Sequence, residues 1–172
     1  MKKINLILLL SIIFSSASSQ VINVESSRMQ SDTVGWKGGI GAAVSLTQNT
    51  EKIFQLNLEA QLQYKTSKDR GIWLILGNLG LLKIGTDRFV SDDLLHLRYN
   101  RKVNEWLRWE VFGQYQNNIV TQIDSRTLFG TGPRFKLFSS PKFRLYAASL
   151  FMYENEKERT TPIIKHNDFR NS

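Results

Sequence analysis

Between residues 54 and 64 the chain alternates without a fault. Phe54, Leu56, Leu58, Ala60, Leu62 and Tyr64 are apolar or aromatic, while Gln55, Asn57, Glu59, Gln61 and Gln63 are polar. A period of two is the signature of a β-strand with one apolar and one polar face. The length of the run constrains the fold further. Strands of soluble domains average about 5–6 residues, whereas a tilted strand that crosses a bilayer needs roughly 9–11.

The segment before the strands reads as an export signal. Lys2 and Lys3 give a positive start, Leu6 to Leu10 and Ile12 to Phe14 give an apolar core, and Ala17-Ser18-Ser19 gives a small-residue cleavage site. The expected domain plan is a signal peptide over 1–19, a polar lead-in without periodicity over 20–34, and a β-domain over 35–172. The apolar core falls short of the ~20 residues of a spanning helix. Lys and Arg number 23 against 15 Asp and Glu, and loss of Lys2 and Lys3 leaves 21 against 15. In an exported protein that excess suits a polar interior, turns and anionic lipid headgroups better than nucleic acid. The chain contains no cysteine, so disulfides and thiolate metal sites are excluded.

The two-residue rhythm continues almost to the end. It predicts strands at about 36–47, 53–65, 72–84, 93–103, 106–117, 123–138 and 142–153, with an eighth starting near 163. The third is apolar on both rows. Expected connections are a loop over 85–92, a two-residue hairpin at Asn104-Glu105, a tight turn at Ser139-Ser140-Pro141 and a charged loop over 154–159. Glycines Gly130 and Gly132 lack a following helix start, so they are read as relief of crowding rather than a phosphate loop.

Alternation alone does not say which face is wet. A soluble periplasmic barrel that binds a small apolar ligand would turn its apolar rows inward. Three features favour the opposite arrangement. The strands are uniformly long, the apolar rows of the first, second, fifth and seventh carry no charge, and aromatics cluster at strand ends. Arg or Lys on a lipid-facing row near the midplane costs about 2–4 kcal/mol, so charge-free rows are what a bilayer enforces. An up-and-down order would bring Trp36, Tyr64, Trp73, Trp106, Phe138 and Phe143 to one edge, as an interfacial girdle requires. The expected fold is an all-β, antiparallel, up-and-down transmembrane β-barrel of about eight strands.

The polar rows supply the candidate functional residues: Glu59, Arg98, Glu110, Gln114, Arg126 and Arg134. Narrow barrels fill their interiors with side chains, and buried charges need partners. Glu110 flanked by Arg98 and Arg126 is expected to form a cross-strand network that plugs the barrel, or, as a minor pore, selects ions. An enzyme would have to combine His96 with Ser91 or Ser125 and Asp93. Parity sets Ser125 and His96 on different rows, and no nucleophile motif surrounds either serine. With two distant histidines, His96 and His166, no metal cluster forms. The expectation is a protein without catalytic residues, cofactor or metal.

Three runs in close succession carry a resemblance: His96-Leu97-Arg98-Tyr99-Asn100, then Trp109-Glu110-Val111-Phe112-Gly113-Gln114-Tyr115-Gln116, then Arg126-Thr127-Leu128-Phe129-Gly130-Thr131-Gly132-Pro133-Arg134. Together they resemble the salt-induced outer-membrane protein family, domain of unknown function 481, from about Gly35 onward. The resemblance implies an uncharacterised outer-membrane barrel with an envelope or osmotic-adaptation role and no established catalytic residue. Its implied partners are outer-membrane lipid and the barrel-assembly machinery, without nucleic acid. The family continues beyond Asp168-Phe169-Arg170-Asn171-Ser172, which leads to the expectation of a barrel truncated at its C-terminus, or of self-association through an open edge.

Overall fold

The structure, a computed structural model, describes residues 34–48, 50–67, 70–85, 88–119, 121–140 and 144–171. The expected signal peptide, most of the lead-in and Phe143 lie outside the described residues. Nine strands follow one another: β1 (Gly35–Gln48), β2 (Lys52–Lys65), β3 (Gly71–Ile84), β4 (Arg88–Lys102), β5 (Leu107–Asn118), β6 (Ile123–Ser139), β7 (Arg144–Ala148), β8 (Phe151–Glu158) and β9 (Lys165–Asn171). Every pairing is antiparallel, and the order across the sheet is β1-β2-β3-β4-β5-β6-β8-β9, with β7 also on β6. The fold is an all-β antiparallel meander.

The sheet is not closed. β1 ladders only on β2, and the seven-residue β9 ladders only on β8. A barrel requires the last strand to hydrogen-bond to the first. Of the expected up-and-down barrel, incomplete at its C-terminus, the structure shows the antiparallel meander as an open sheet.

Sequence and structure agree best where alternation is unbroken. β1, β2, β3 and β5 fall within a residue or so of their expected bounds. β4 starts at Arg88, so the expected loop over 85–92 shrinks to a turn that begins at Gly85, whose φ of 63° suits a residue without Cβ. The β4–β5 connection spans four residues rather than two. Asn104 shapes it: its Oδ1 accepts the N–H groups of Trp106 at 3.0 Å and Leu107 at 2.8 Å.

The expected seventh strand is split, and the reason lies in β6. β7 and β8 keep one register along β6, from Phe135 opposite Ala147 to Thr131 opposite Phe151. Between them, Ser149 N–H donates to the Pro133 carbonyl at 3.2 Å, but proline has no N–H to return. The ladder lapses there, and the Ser149 carbonyl leans over Gly132, where a Cβ would lie 2.1 Å from it. β8 then runs to Glu158, so the charged segment expected as a loop from 154 is strand up to that point.

The register also sorts the faces. One face carries Trp36, Ile40, Leu62, Trp73, Leu79, Leu97, Val111, Phe129 and Phe151, all exposed. The opposite face is exposed along β1 and much of β2 but largely buried from β3 onward, where it carries His96, Arg98, Asn100, Glu110, Gln114, Gln116, Arg126, Arg134 and Glu154, with Gln63 at the end of β2. β3 contributes apolar residues to both, with Ile72, Leu74 and Leu76 on the buried side. A shift of register near Gln116 and Asn118 places Ile123 on the buried face.

Candidate functional site

The buried face of β4, β5, β6, β8 and β9 is layered. At its centre Phe112, Gly130 and Met152 lie opposite one another on β5, β6 and β8. They pack with Leu128, and Leu150 closes against them. Gly130 is required here: a Cβ would meet the Phe112 ring at 2.3 Å and Met152 Cγ at 3.0 Å. Glycine facing a large side chain is how neighbouring strands interdigitate without a void.

A first cluster, built on β4, β5 and β6, sets Glu110 and Arg134 on one side of this layer and reaches past Phe112 to His96 and Gln114, which lie level with Leu128. Arg98 Nε approaches Glu110 Oε1 at 3.3 Å, and Arg134 Nη1 donates to Glu110 Oε2 at 3.4 Å. Arg98 Nε also donates to His96 Nε2 at 3.2 Å, which makes that nitrogen an acceptor. The proton therefore sits on Nδ1, which donates to Gln114 Oε1 at 3.0 Å. His96, 1 % exposed, has both ring nitrogens engaged and stacks on Phe112. Arg134 adds a cation–π contact with the Tyr146 ring, 4.8 Å to its centroid.

The second cluster lies on the other side, on β6, β8 and β9. Arg126 Nε meets Glu154 Oε1 at 2.5 Å and Glu156 Oε2 at 3.2 Å, and Arg170 Nε meets Glu154 Oε2 at 2.8 Å. Each buried glutamate is thus held between two arginines. Desolvating a carboxylate is costly unless opposite charges and donors surround it, which explains the two-to-one arrangement.

Of the six residues singled out from the sequence, four come together: Arg98, Glu110, Gln114 and Arg134. Arg126 is buried but belongs to the other cluster, so its expected contact with Glu110 is corrected to Arg134. The register is the reason: Glu110 lies opposite Gly132, while Arg126 lies opposite Gln116. Glu59 joins neither cluster. It is exposed on β2, between Gly41 and Asn78. Sequence reasoning missed Glu154, Glu156 and Arg170 as members. It also weighed His96 only as a catalytic or metal-ligating residue, although its place two residues from Arg98 on the same row was the signal for a network role. Among the described residues no group of three or more His, Asp or Glu is set to hold a metal ion.

All of the two clusters except Arg170, and the layer between them, fall inside a segment with a family match. Residues 38–169 match the family described as a protein of unknown function, DUF481. The chain belongs to the DUF481 family. Searches of curated proteins and of solved structures find no match. The family match covers β2 to β8 in full and most of β1 and β9, so the layered site, Arg170 apart, lies within the DUF481 match.

Aromatics gather at one end of the exposed face. Trp36 lies opposite Tyr64, Tyr64 opposite Trp73 and Trp73 opposite Tyr99. The rings touch in pairs, with centroids 4.7 Å apart for Trp36 and Tyr64 and 4.4 Å for Trp73 and Tyr99. At the same end Trp106, in the β4–β5 turn, stacks on Phe135, and Phe138 is exposed.

Proposed function

We propose that this DUF481 protein is an integral component of the outer membrane of a Gram-negative cell, exported by its N-terminal segment and non-catalytic. Its exposed face meets hydrocarbon, and its paired charges form a sealed interior. The observation that carries this reading is the inversion of the two faces. Among the described residues eleven polar or charged side chains are buried against seven apolar ones, while Ile40 stands 87 % exposed and Phe151 65 % exposed. Soluble monomers rarely leave a contiguous apolar face of this extent in water. Barrels in lipid show this pattern, with aromatic residues at the interface.

The same inversion weighs against the soluble ligand-binding alternative. That reading needs an apolar lining on the enclosed side, and the enclosed side here is a set of ion pairs. The apolar layer of Phe112, Leu128 and Met152 between two ionic clusters favours a plug over a pore. Envelope maintenance under osmotic load is the role this non-conducting arrangement suits. Open edges at β1 and β9 must be satisfied within a bilayer, by strand closure or by pairing with a second copy, since unpaired backbone is not tolerated in hydrocarbon. The barrel-assembly machinery is the partner such insertion implies.

Cysteine substitution tests which face meets lipid. Leu58→Cys should react with a lipid-soluble maleimide in intact outer membranes, and Gln61→Cys should not. Recovery of the processed protein in the soluble periplasmic fraction would overturn the reading. Planar-bilayer recording separates plug from pore: no conductance is expected from the inserted protein, and channels altered by Arg98→Gln would establish a pore instead.

A further inference from the structure

A pocket of 550 Å³ opens on the exposed face beside the β4–β5 turn, lined by Tyr99, Arg101, Lys102, Val103, Trp109 and Val111. It lies at the aromatic end of the sheet. Tyr99 and Arg101 are successive residues of the exposed row of β4, opposite Val111 and Trp109 of β5. The Trp109 indole is fixed, because its Nε1–H donates to Thr131 Oγ1 at 2.8 Å and that hydroxyl donates to the Glu110 carbonyl at 3.0 Å. The fixed Trp109 indole and Tyr99, whose ring packs on Trp73, therefore line the same pocket as Arg101.

The charge at this corner is not balanced. Lys102 Nζ is matched by Glu105 at 2.6 Å, whereas no ion pair joins Arg101 to any described residue. Arg70, also exposed, adjoins the pocket, its carbonyl accepting the Lys102 N–H at 2.8 Å. Arg101 ends the row that runs through Leu95, Leu97 and Tyr99, and an arginine there is tolerated where the bilayer gives way to headgroups, its stem packing on neighbours while its head reaches the interface. Below the pocket the row continues as Val111 and Phe129 on the exposed face.

We propose that this pocket binds the phosphodiester headgroup of an anionic glycerophospholipid, with Arg101 on the phosphate, Tyr99 and Trp109 flanking the glycerol, and an acyl chain running along Val111. The inference rests on the membrane reading above. The guanidinium of Arg101 suits an anion, and its flat fork suits two phosphate oxygens. The adjoining apolar row selects a lipid over free phosphate, because it has nothing to offer a fully hydrated ion.

The test uses the full processed chain with Trp36, Trp73 and Trp106 changed to Phe, so that Trp109 alone reports. The protein is folded into vesicles of phosphatidylcholine containing a minor fraction of phosphatidylglycerol, and the bromine label is placed on the acyl chains of one lipid or the other. Brominated phosphatidylglycerol should quench Trp109 roughly fivefold more effectively per molecule than brominated phosphatidylcholine, the preference one interfacial cation supplies. Arg101→Ala should abolish that preference, Arg101→Lys should retain most of it, and Lys37→Ala, at the same end but on another strand, should leave it intact. Inorganic phosphate should not compete. Equal quenching by both lipids, or equal loss in the Arg101 and Lys37 variants, would overturn the pocket while leaving membrane insertion standing. Absence of quenching by either lipid would overturn both.

Discussion

Glu110 and Glu154 occupy equivalent environments on opposite sides of one apolar layer, yet they differ in how much freedom their partners have. Both are 1 % exposed and both sit between two arginines. Glu110 belongs to β5, in the middle of the sheet, and both Arg98 and Arg134 are buried with it. Glu154 belongs to β8, next to the open edge, and Arg170 on β9 keeps 36 % of its side chain exposed. The edge cluster also holds surplus carboxylate from Glu156 and Asp168, with Asp168 at 3.9 Å from Arg170. A buried charge is costly to orphan only when it has nowhere to go. The central cluster should therefore behave as one rigid unit, and the edge cluster as a more adaptable one.

The largest effect expected from this contrast is that of Glu110→Ala. It strands two guanidiniums on the buried face, which costs about 3–5 kcal/mol, the range for breaking a buried pair by removing one partner. Urea unfolding of the detergent-folded protein would read this as a lower midpoint. Glu110→Gln, which keeps an acceptor, should fall between the variant and the parent. Glu154→Ala should cost less, about 1.5–3 kcal/mol, because Arg170 can turn to solvent and Arg126 retains Glu156. Equal losses for the two alanine variants would break the comparison and mean that exposure of one partner gives no relief.

Gly132→Ala probes the seam between the two regions. A methyl group there would collide with the Ser149 carbonyl, so β7 and β8 must move away from β6 or β6 must bend. Overpacking of this kind typically costs about 1–3 kcal/mol. Hydrogen exchange should show the loss concentrated in 144–158, on the edge side, with β4 and β5 little changed. Exchange spreading evenly across the sheet would show that the edge is not a separate unit of stability.

The same contrast explains what could be read from the residues alone. The central cluster was legible because β4 and β5 alternate cleanly, so Arg98, Glu110 and Gln114 share a face by parity. Which arginine reaches Glu110 was not legible. Parity places Arg126 and Arg134 on the same row of β6, and only the register, with Glu110 opposite Gly132, selects Arg134. The edge cluster was hidden for another reason. The run Glu154 to Glu158 carries charge on both rows, so it shows no alternation, and its strand conformation comes from pairing with β6 rather than from its own pattern. The break at Ser149 is likewise a consequence of Pro133 on the neighbouring strand. Closure of the sheet depends on whether its two outermost strands meet, a long-range property that no local periodicity encodes.

The smallest effect sharpens the contrast from outside both clusters. Lys102 and Glu105 form an ion pair at 2.6 Å in the β4–β5 turn, nearly as short as the buried Arg126–Glu154 pair at 2.5 Å, but 82 % of the Glu105 side chain is exposed. Water and salt screen such a pair, so Glu105→Ala should shift the urea midpoint by no more than about 0–1 kcal/mol. A larger loss would mean that distance rather than burial sets the strength of these pairs, and the ranking of Glu110 above Glu154 would lose its basis. The variant has a second consequence that stability does not register. Freed of its carboxylate, Lys102 adds a second cation to the Arg101 pocket, so phosphatidylglycerol should quench Trp109 more strongly in this variant than in its parent. Stability unchanged with lipid preference raised would separate what this turn does for the fold from what it does at the membrane surface.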